Sequence, residues 1–72
     1  MTAFSEYDVV RLVHPIAEHG LKEGARGAIL MVFADKQPAA YEVEFLDADG
    51  ATLALLTLSE DALCKDEGNV GS

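Results

Sequence analysis

Three short apolar runs in the middle of the chain are of two different kinds. Residues 41–45 (YEVEF) alternate strictly between apolar and acidic side chains, whereas residues 28–34 (AILMVFA) and 53–58 (LALLTL) are apolar at nearly every position. Side chains of a β-strand point alternately to its two faces. The first pattern therefore predicts a strand with one buried and one solvated face, and the other two predict strands that need a cover on both faces.

The N-terminal third of the chain predicts one strand followed by a long loop. Residues 7–14 are rich in β-branched side chains and end before a proline, which cannot continue a hydrogen-bonded ladder. A short helix in this segment is the alternative interpretation. Residues 15–27 contain Gly20, Gly24 and Gly27, which predict a folded-back loop because glycine supplies the backbone conformations of turns.

The rest of the chain predicts a hairpin and a short helical turn among further strands. The Asp-Gly pair near residue 50 is a strong hairpin signal between two strand-like runs, and Ser59 followed by acidic residues suits a capped helical turn. The predicted elements are strands at 27–34, 40–46 and 51–58, a turn at 47–50, a helical turn at 59–63 and a last strand at 64–65.

This order of elements predicts an all-β fold, a small and strongly bent SH3-like barrel of about five short strands with one helical turn before the last. A three-stranded sheet with an N-terminal helix is the alternative. Residues 1–65 form the single predicted domain, and the polar, glycine-rich residues 66–72 form a flexible C-terminal tail.

Size and cysteine content indicate that something besides the core stabilises the domain. A chain of 72 residues holds one small core and is expected to be marginally stable by itself. Disulfides, metals and partner subunits are the usual remedies. Cys64 is the only cysteine, so an intramolecular disulfide is excluded and a reducing compartment is favoured. Association with another subunit is the leading expectation.

The charge balance argues against nucleic acid as a partner. Thirteen acidic residues against five basic ones give a net charge of −8, and the basic residues form no stripe. Nucleic-acid binding needs Lys and Arg to neutralise phosphates. The N-terminus lacks a signal-peptide pattern, and no run approaches the ~20 apolar residues of a membrane span. We therefore expect a cytoplasmic protein that binds neither nucleic acid nor membrane.

A set of ordered motifs links residues 7–63 to a known family. They are Asp8-Val9-Val10, Glu18-His19-Gly20-Leu21, Gly24, Gly27, the alternating run 41–45, Asp47 with Gly50, and residues 52–58. With these motifs the chain resembles a small bacterial family described only as domain of unknown function DUF4926. The resemblance implies an SH3-like small barrel, and it implies no reaction because none is established for the family.

The doubly apolar strands predict an interaction surface. If Ile29, Met31 and Phe33 face the core, Leu30 and Val32 face outward, and on the later strand Leu56 and Leu58 lie opposite Leu53 and Leu55. Exposed apolar patches of several hundred Å² usually mark interfaces. The predicted contact residues are Leu30, Val32, Leu56 and Leu58, and the predicted partner is a second copy, with a dimer favoured.

The candidates for chemistry are few, and each has a simpler structural explanation. His14 and His19 with Glu18 are the best metal-like group, but zinc needs three or four converging ligands. Glu18 and His19 are therefore kept as a possible loop site, with no metal predicted. Glu42 and Glu44 would need a cleft to act as an acid–base pair. Cys64 has no assignable base and is expected to be a half-buried thiol.

These expectations together predict a non-catalytic interaction module without a cofactor. Its second and fourth strands mediate self-association. One alternative is an accessory or regulatory, antitoxin-like subunit that docks on a different protein. The other alternative is a minimal metal-binding protein.

Overall fold

The computed structural model describes residues 2–66, in which five strands form one antiparallel sheet. The strands are β1 (Val9–Leu12), β2 (Arg26–Phe33), β3 (Ala40–Leu46), β4 (Thr52–Ser59) and β5 (Leu63–Lys65), with 3-10 turns at Ala17–His19 and Glu60–Ala62. Their order across the sheet is β4-β3-β2-β1-β5. The five strands and the helical turn before the last one confirm the predicted all-β fold class.

The connections form where the sequence places turn-forming residues. Asp47 caps the β3–β4 hairpin, because its Oδ1 accepts hydrogen bonds from the amides of Asp49 at 2.8 Å and Ala51 at 3.0 Å. Gly50 takes a φ of 86°, a conformation that side chains disfavour. The Ser59 Oγ accepts a hydrogen bond from the Asp61 amide at 3.4 Å. The hairpin and the capped turn before β5 are both confirmed.

The core lies on one face of the sheet, which we call the inner face. Tyr41, Val43 and Phe45 on β3 are fully buried there, while Glu42 and Glu44 lie half-buried on the opposite, outer face. A single sheet can bury one of its faces only by curling around it or by gaining a cover. The strict alternation of residues 41–45 therefore corresponds to one buried face and one more exposed face, as predicted.

Two irregular segments complete the cover of the inner face. The N-terminal arm places Phe4 against Tyr41, with ring centroids 5.3 Å apart in an edge-to-face arrangement. The first loop buries Leu21, and its chain is held by a hydrogen bond from the Ile16 amide to the Leu21 carbonyl at 2.8 Å. Both segments cover the inner face of the sheet, so neither of them covers the outer face.

Gly27 corrects one expectation. It was predicted to be a turn glycine, but it is a buried residue of β2, paired with Val10 and Phe45 on the neighbouring strands. A Cβ at this position would lie 2.7 Å from Val43 Cγ1 and 2.9 Å from Phe45 ring carbons. The residue is glycine because the β3 side chains pack directly over its backbone.

The sheet has two edges of different character. Within the described residues, hydrogen bonding does not close the sheet between β4 and β5. β5 is three residues long and includes Lys65, whereas β4 is eight residues long and has no charged side chain. Residues 67–72, most of the predicted tail, lie outside the described part of the chain.

Candidate functional site

Exposed apolar side chains cluster on the outer face of the sheet. Leu53 and Leu55 on β4 are each 50% exposed, Leu46 at the end of β3 is 51% exposed, and Met31 on β2 is 48% exposed. Leu30 beside Met31 is 38% exposed. These five residues, Leu30, Met31, Leu46, Leu53 and Leu55, are called the outer apolar surface below.

A β-bulge explains why the predicted contact set differs from this surface. The β2–β3 register shifts between Ile29 and Met31, so the chain gains one residue there. The shift turns Met31 outward and brings Val32 to the core, the reverse of the prediction.

On β4 the two leucine pairs lie on opposite faces, as predicted, but the pair that was predicted to face outward faces the core. Leu56 and Leu58 are half-buried and pack against the core, and Leu53 and Leu55 face outward. Of the four predicted contact residues, only Leu30 therefore belongs to the outer apolar surface. Whether Val32, Leu56 and Leu58 contribute to a contact stays a prediction.

Two carboxylates lie within the outer apolar surface. Glu44 is paired with Leu55 on one side and with Ala28 on the other, and Glu42 is paired with Thr57 and Met31. The Glu44 Oε2 accepts a hydrogen bond from the Thr52 hydroxyl at 2.6 Å. The face therefore combines leucines with a central acidic pair, and this limits which partner could cover it.

A shallow hollow adjoins the surface over β1, β2 and β3. It has a volume of about 260 Å³ and opens where the small residues Gly27 and Ala28 leave space. Val9 and Leu46 contribute apolar side chains to its lining, and Arg26 and Glu44 complete the lining. The hollow is open and can accommodate an apolar group.

Two arginines on the outer face, of which Arg26 also lines the hollow, hold the chain after β5. Arg11 and Arg26 are opposite each other on β1 and β2. Their Nε atoms each lie 2.8 Å from one carboxylate oxygen of Asp66, whose amide also donates to the Val9 carbonyl at 3.2 Å. The carboxylate relieves the repulsion between the two arginines and fixes the strand end. We call this group the arginine clasp.

A second polar group ties the N-terminal arm to the core. The Tyr41 hydroxyl donates to Glu60 Oε2 at 2.5 Å, the Ala3 amide donates to the same oxygen at 2.8 Å, and the Phe4 amide donates to the Tyr41 oxygen at 3.3 Å. Burial, aided by this hydrogen bond, raises the pKa of Tyr41. The hydrogen bond from Tyr41 lowers the pKa of Glu60. We call this group the tyrosine clasp.

The family can be assigned at this point. The family model of a domain of unknown function (DUF4926) matches residues 6–65, which covers every strand of the sheet. The chain belongs to the DUF4926 family. Searches with the chain match no curated protein and no solved structure. The family assignment confirms the resemblance and brings no activity with it.

In this DUF4926 domain the predicted loop site consists of exposed side chains. Glu18 and His19 lie in the 3-10 turn Ala17–His19, with 3.9 Å between His19 Nε2 and Glu18 Oε2. His14 is exposed as well. Within residues 2–66, no three His, Cys, Asp or Glu side chains converge so that they could hold a metal ion.

Cys64 of the DUF4926 domain is exposed on β5, opposite Arg11, and not half-buried as predicted. The strand is only three residues long and lies at the sheet edge, so it leaves the outward thiol uncovered.

The described part of the DUF4926 chain, residues 2–66, has no helix that is long and apolar enough to cross a membrane.

Sequence reasoning missed both clasps. Glu60 was predicted only as part of a capped turn, and Asp66 as the start of the tail. Their partners lie 57 residues away in the case of Ala3 and 55 residues away in the case of Arg11. No local spacing signals such contacts, because they depend on how the sheet brings the two ends of the chain together.

Proposed function

We propose that this protein is a non-catalytic interaction module that associates with a second copy of itself through the β2 and β4 region of its outer face. The observation that carries the proposal is the outer apolar surface. Its five large side chains are each 38–51% exposed on a domain of only 72 residues. Contiguous apolar patches of this kind commonly mark protein interfaces.

The size of the domain makes such an association energetically significant. Covering the exposed half of a leucine contributes on the order of 1 kcal/mol before association costs. The free energy gained by covering several such side chains is large relative to the small stability expected of a 72-residue fold. A partner would supply the cover that the arm and the first loop give only to the inner face.

The non-catalytic part of the proposal is supported by the chemistry of the described surface. Glu42 and Glu44 lie on an open strand face, and Glu44 is engaged by the Thr52 hydroxyl. The two clasps join polar groups to one another and tie down chain ends. The function proposed for these polar groups is therefore structural.

Size-exclusion chromatography with light scattering tests the self-association. We expect the wild-type protein to exceed its monomer mass of 7.7 kDa at high micromolar concentration. Leu55→Glu, which adds a charge to the outer apolar surface, is expected to give a folded monomer. Ala48→Glu adds the same charge in the exposed hairpin turn and is expected to leave the mass unchanged. Wild-type protein that is monomeric at every concentration would refute the proposal.

A second candidate is docking on a different protein, and the acidic pair favours it. Glu42 and Glu44 lie among the exposed leucines, so the surface would suit an apolar partner that carries Lys or Arg. An affinity-tagged copy would then retrieve one foreign protein in stoichiometric amount. The double substitution Glu42→Lys with Glu44→Lys would abolish that capture, whereas self-association through leucines would not require these glutamates.

A further inference from the structure

We propose that two copies join edge to edge, with β4 pairing antiparallel to β4 of the second copy so that the two sheets become one. This inference rests on the proposed self-association and places the contact at the β4 part of the region, so that Leu30 and Met31 on β2 stay outside the paired edge. It derives from the backbone of β4, which the argument from exposed leucines does not use.

β4 has none of the features that protect a sheet edge from pairing. Natural edge strands are usually short, charged, interrupted by proline or covered. β4 runs for eight residues, TLALLTLS, without a charge or a proline. Every other strand of the described sheet carries a charged residue. For two chains of net charge −8, pairing along β4 brings no charged side chain of the strand itself opposite another.

The backbone of β4 offers free hydrogen-bonding groups at defined positions. The Glu60 amide donates to the Ala39 carbonyl at 2.9 Å, in the same register as the pair Ala40 and Ser59. In an antiparallel strand, successive residues direct their amides to opposite sides. The amides of Leu56 and Leu58 therefore face β3, and those of Leu55 and Thr57 face the open edge.

No other segment of the described chain uses these outward groups. Within residues 2–66, the backbone hydrogen bonds outside the strand ladders involve neither Leu55 nor Thr57. The outward amides and carbonyls of the strand centre are therefore available to a second strand.

If a two-fold axis passes through Leu56, the outward amides and carbonyls of one β4 lie opposite those of β4 in the second copy. In this register Leu55 faces Thr57 of the second copy and Thr57 faces its Leu55, which forms about four main-chain hydrogen bonds. The interface is isologous, as in most homodimers. Leu56 lies against the other Leu56, and Ala54 lies against the other Leu58. The half-buried Leu56 and Leu58 thereby gain a cover along the edge.

Edge pairing also avoids the acidic pair of the outer face. Stacking two outer faces about a two-fold axis would bring Glu42 and Glu44 of both copies into one interface, and like charges there are costly. Pairing through β4 keeps each acidic pair on its own sheet. The second copy is for this reason better placed at the edge than on top of the face.

Amide hydrogen exchange followed by NMR at two protein concentrations tests the inference. At high concentration we expect exchange at Leu55 and Thr57 to slow by about tenfold or more relative to a dilute sample. Leu56 and Leu58, already bonded to β3, are expected to be protected in both samples. A dimer in which Leu55 and Thr57 exchange as fast as in the dilute sample would overturn edge pairing while leaving self-association intact. A monomer in both samples would overturn both proposals.

A proline substitution gives an independent test. Thr57→Pro removes an outward amide and spares the bonds to β3, a position where edge strands tolerate proline. We expect a monomer whose circular dichroism matches the wild type. Ala48→Pro, placed in the exposed hairpin turn outside β4 and at an amide that donates in no hydrogen bond described for residues 2–66, is the matched control and is expected to remain a dimer. A folded Thr57→Pro dimer would contradict the inference.

Discussion

The two faces of the sheet receive very different cover from the same short chain. The inner face is sealed by Phe4 of the arm and Leu21 of the first loop, so that Tyr41 and Val43 are fully buried. Of the segments between residues 2 and 66, the outer face receives only the chain end held by the arginine clasp, and Leu53 and Leu55 are half exposed. Within residues 2–66, the chain therefore covers one apolar face completely and leaves the other partly exposed, and this difference is the basis of the proposal that a partner covers the second face.

The largest expected contrast comes from shortening one side chain on each face. Phe45→Ala removes a fully buried ring and is expected to lower the free energy of unfolding by about 3–5 kcal/mol. Leu55→Ala, measured in dilute protein, is expected to cost less than about 1 kcal/mol. Urea unfolding of both variants measures the difference. Equal costs would mean that the outer face is already packed within the monomer.

Neighbouring positions on β2 provide a finer comparison. Gly27→Ala places a methyl group against Val43 and Phe45, and overpacking of this kind costs about 1–3 kcal/mol. Ala28→Val points to the outer hollow instead and is expected to change the free energy of unfolding by about 0.5 kcal/mol or less. Thermal unfolding of the pair checks this. A destabilising Ala28→Val would show that the hollow is not open.

The tyrosine clasp predicts a pH dependence of the inner cover. The pKa of Glu60 is lowered from 4.5 in the folded state. The stabilisation of the folded state by the Glu60 carboxylate is therefore fully present above pH 4.5 and is lost as the pH falls through the lower folded pKa. The pKa of Tyr41 is raised from 10.0, so that contribution is present below pH 10.0 and is lost as the pH rises through the higher folded pKa.

Glu60→Gln tests the acid limb of this dependence. The difference in unfolding free energy between wild type and variant is expected to shrink as the pH falls below 4.5. Urea unfolding between pH 3 and pH 7, about the range in which carboxylates titrate, measures it. Thr52→Ser, in which the hydroxyl bonded to Glu44 is retained, is the control and should show no such change. A constant difference at every pH would contradict the role given to the clasp.

The smallest effect is expected at the arginine clasp. Asp66→Asn removes the charge between Arg11 and Arg26, whose side chains are 35% and 62% exposed. The Asp66 side chain is only 11% exposed, but both arginines are open to solvent, so we expect a loss of about 1 kcal/mol that diminishes as salt is added. Unfolding at low and high salt measures it. A loss that is independent of salt would indicate packing instead of charge.

The sequence predicted those parts of the fold that local chemistry determines. The alternation at residues 41–45 identified the inner face, and Asp47 with Gly50 identified the hairpin. Ser59 identified the turn before β5. Each of these signals acts within a few residues, so no knowledge of the tertiary structure is needed to interpret it.

The candidate site was harder to predict because one inserted residue changes which side chains face outward. The run AILMVF is apolar throughout, so its pattern gives no sign of the bulge at Leu30 and Met31 that exchanges the orientations of Met31 and Val32. For the same reason LALLTL does not reveal which leucine pair is exposed. The expectation that some leucines stay uncovered was correct, and their identities required the structure.

Sedimentation equilibrium of the wild-type protein over a range of concentrations tests the central claim most directly. If a second copy covers what the chain leaves exposed, the average mass should rise from 7.7 kDa toward twice that value as the concentration increases. Leu55→Glu should keep the monomer mass throughout. A wild-type mass of 7.7 kDa at every concentration would contradict the account.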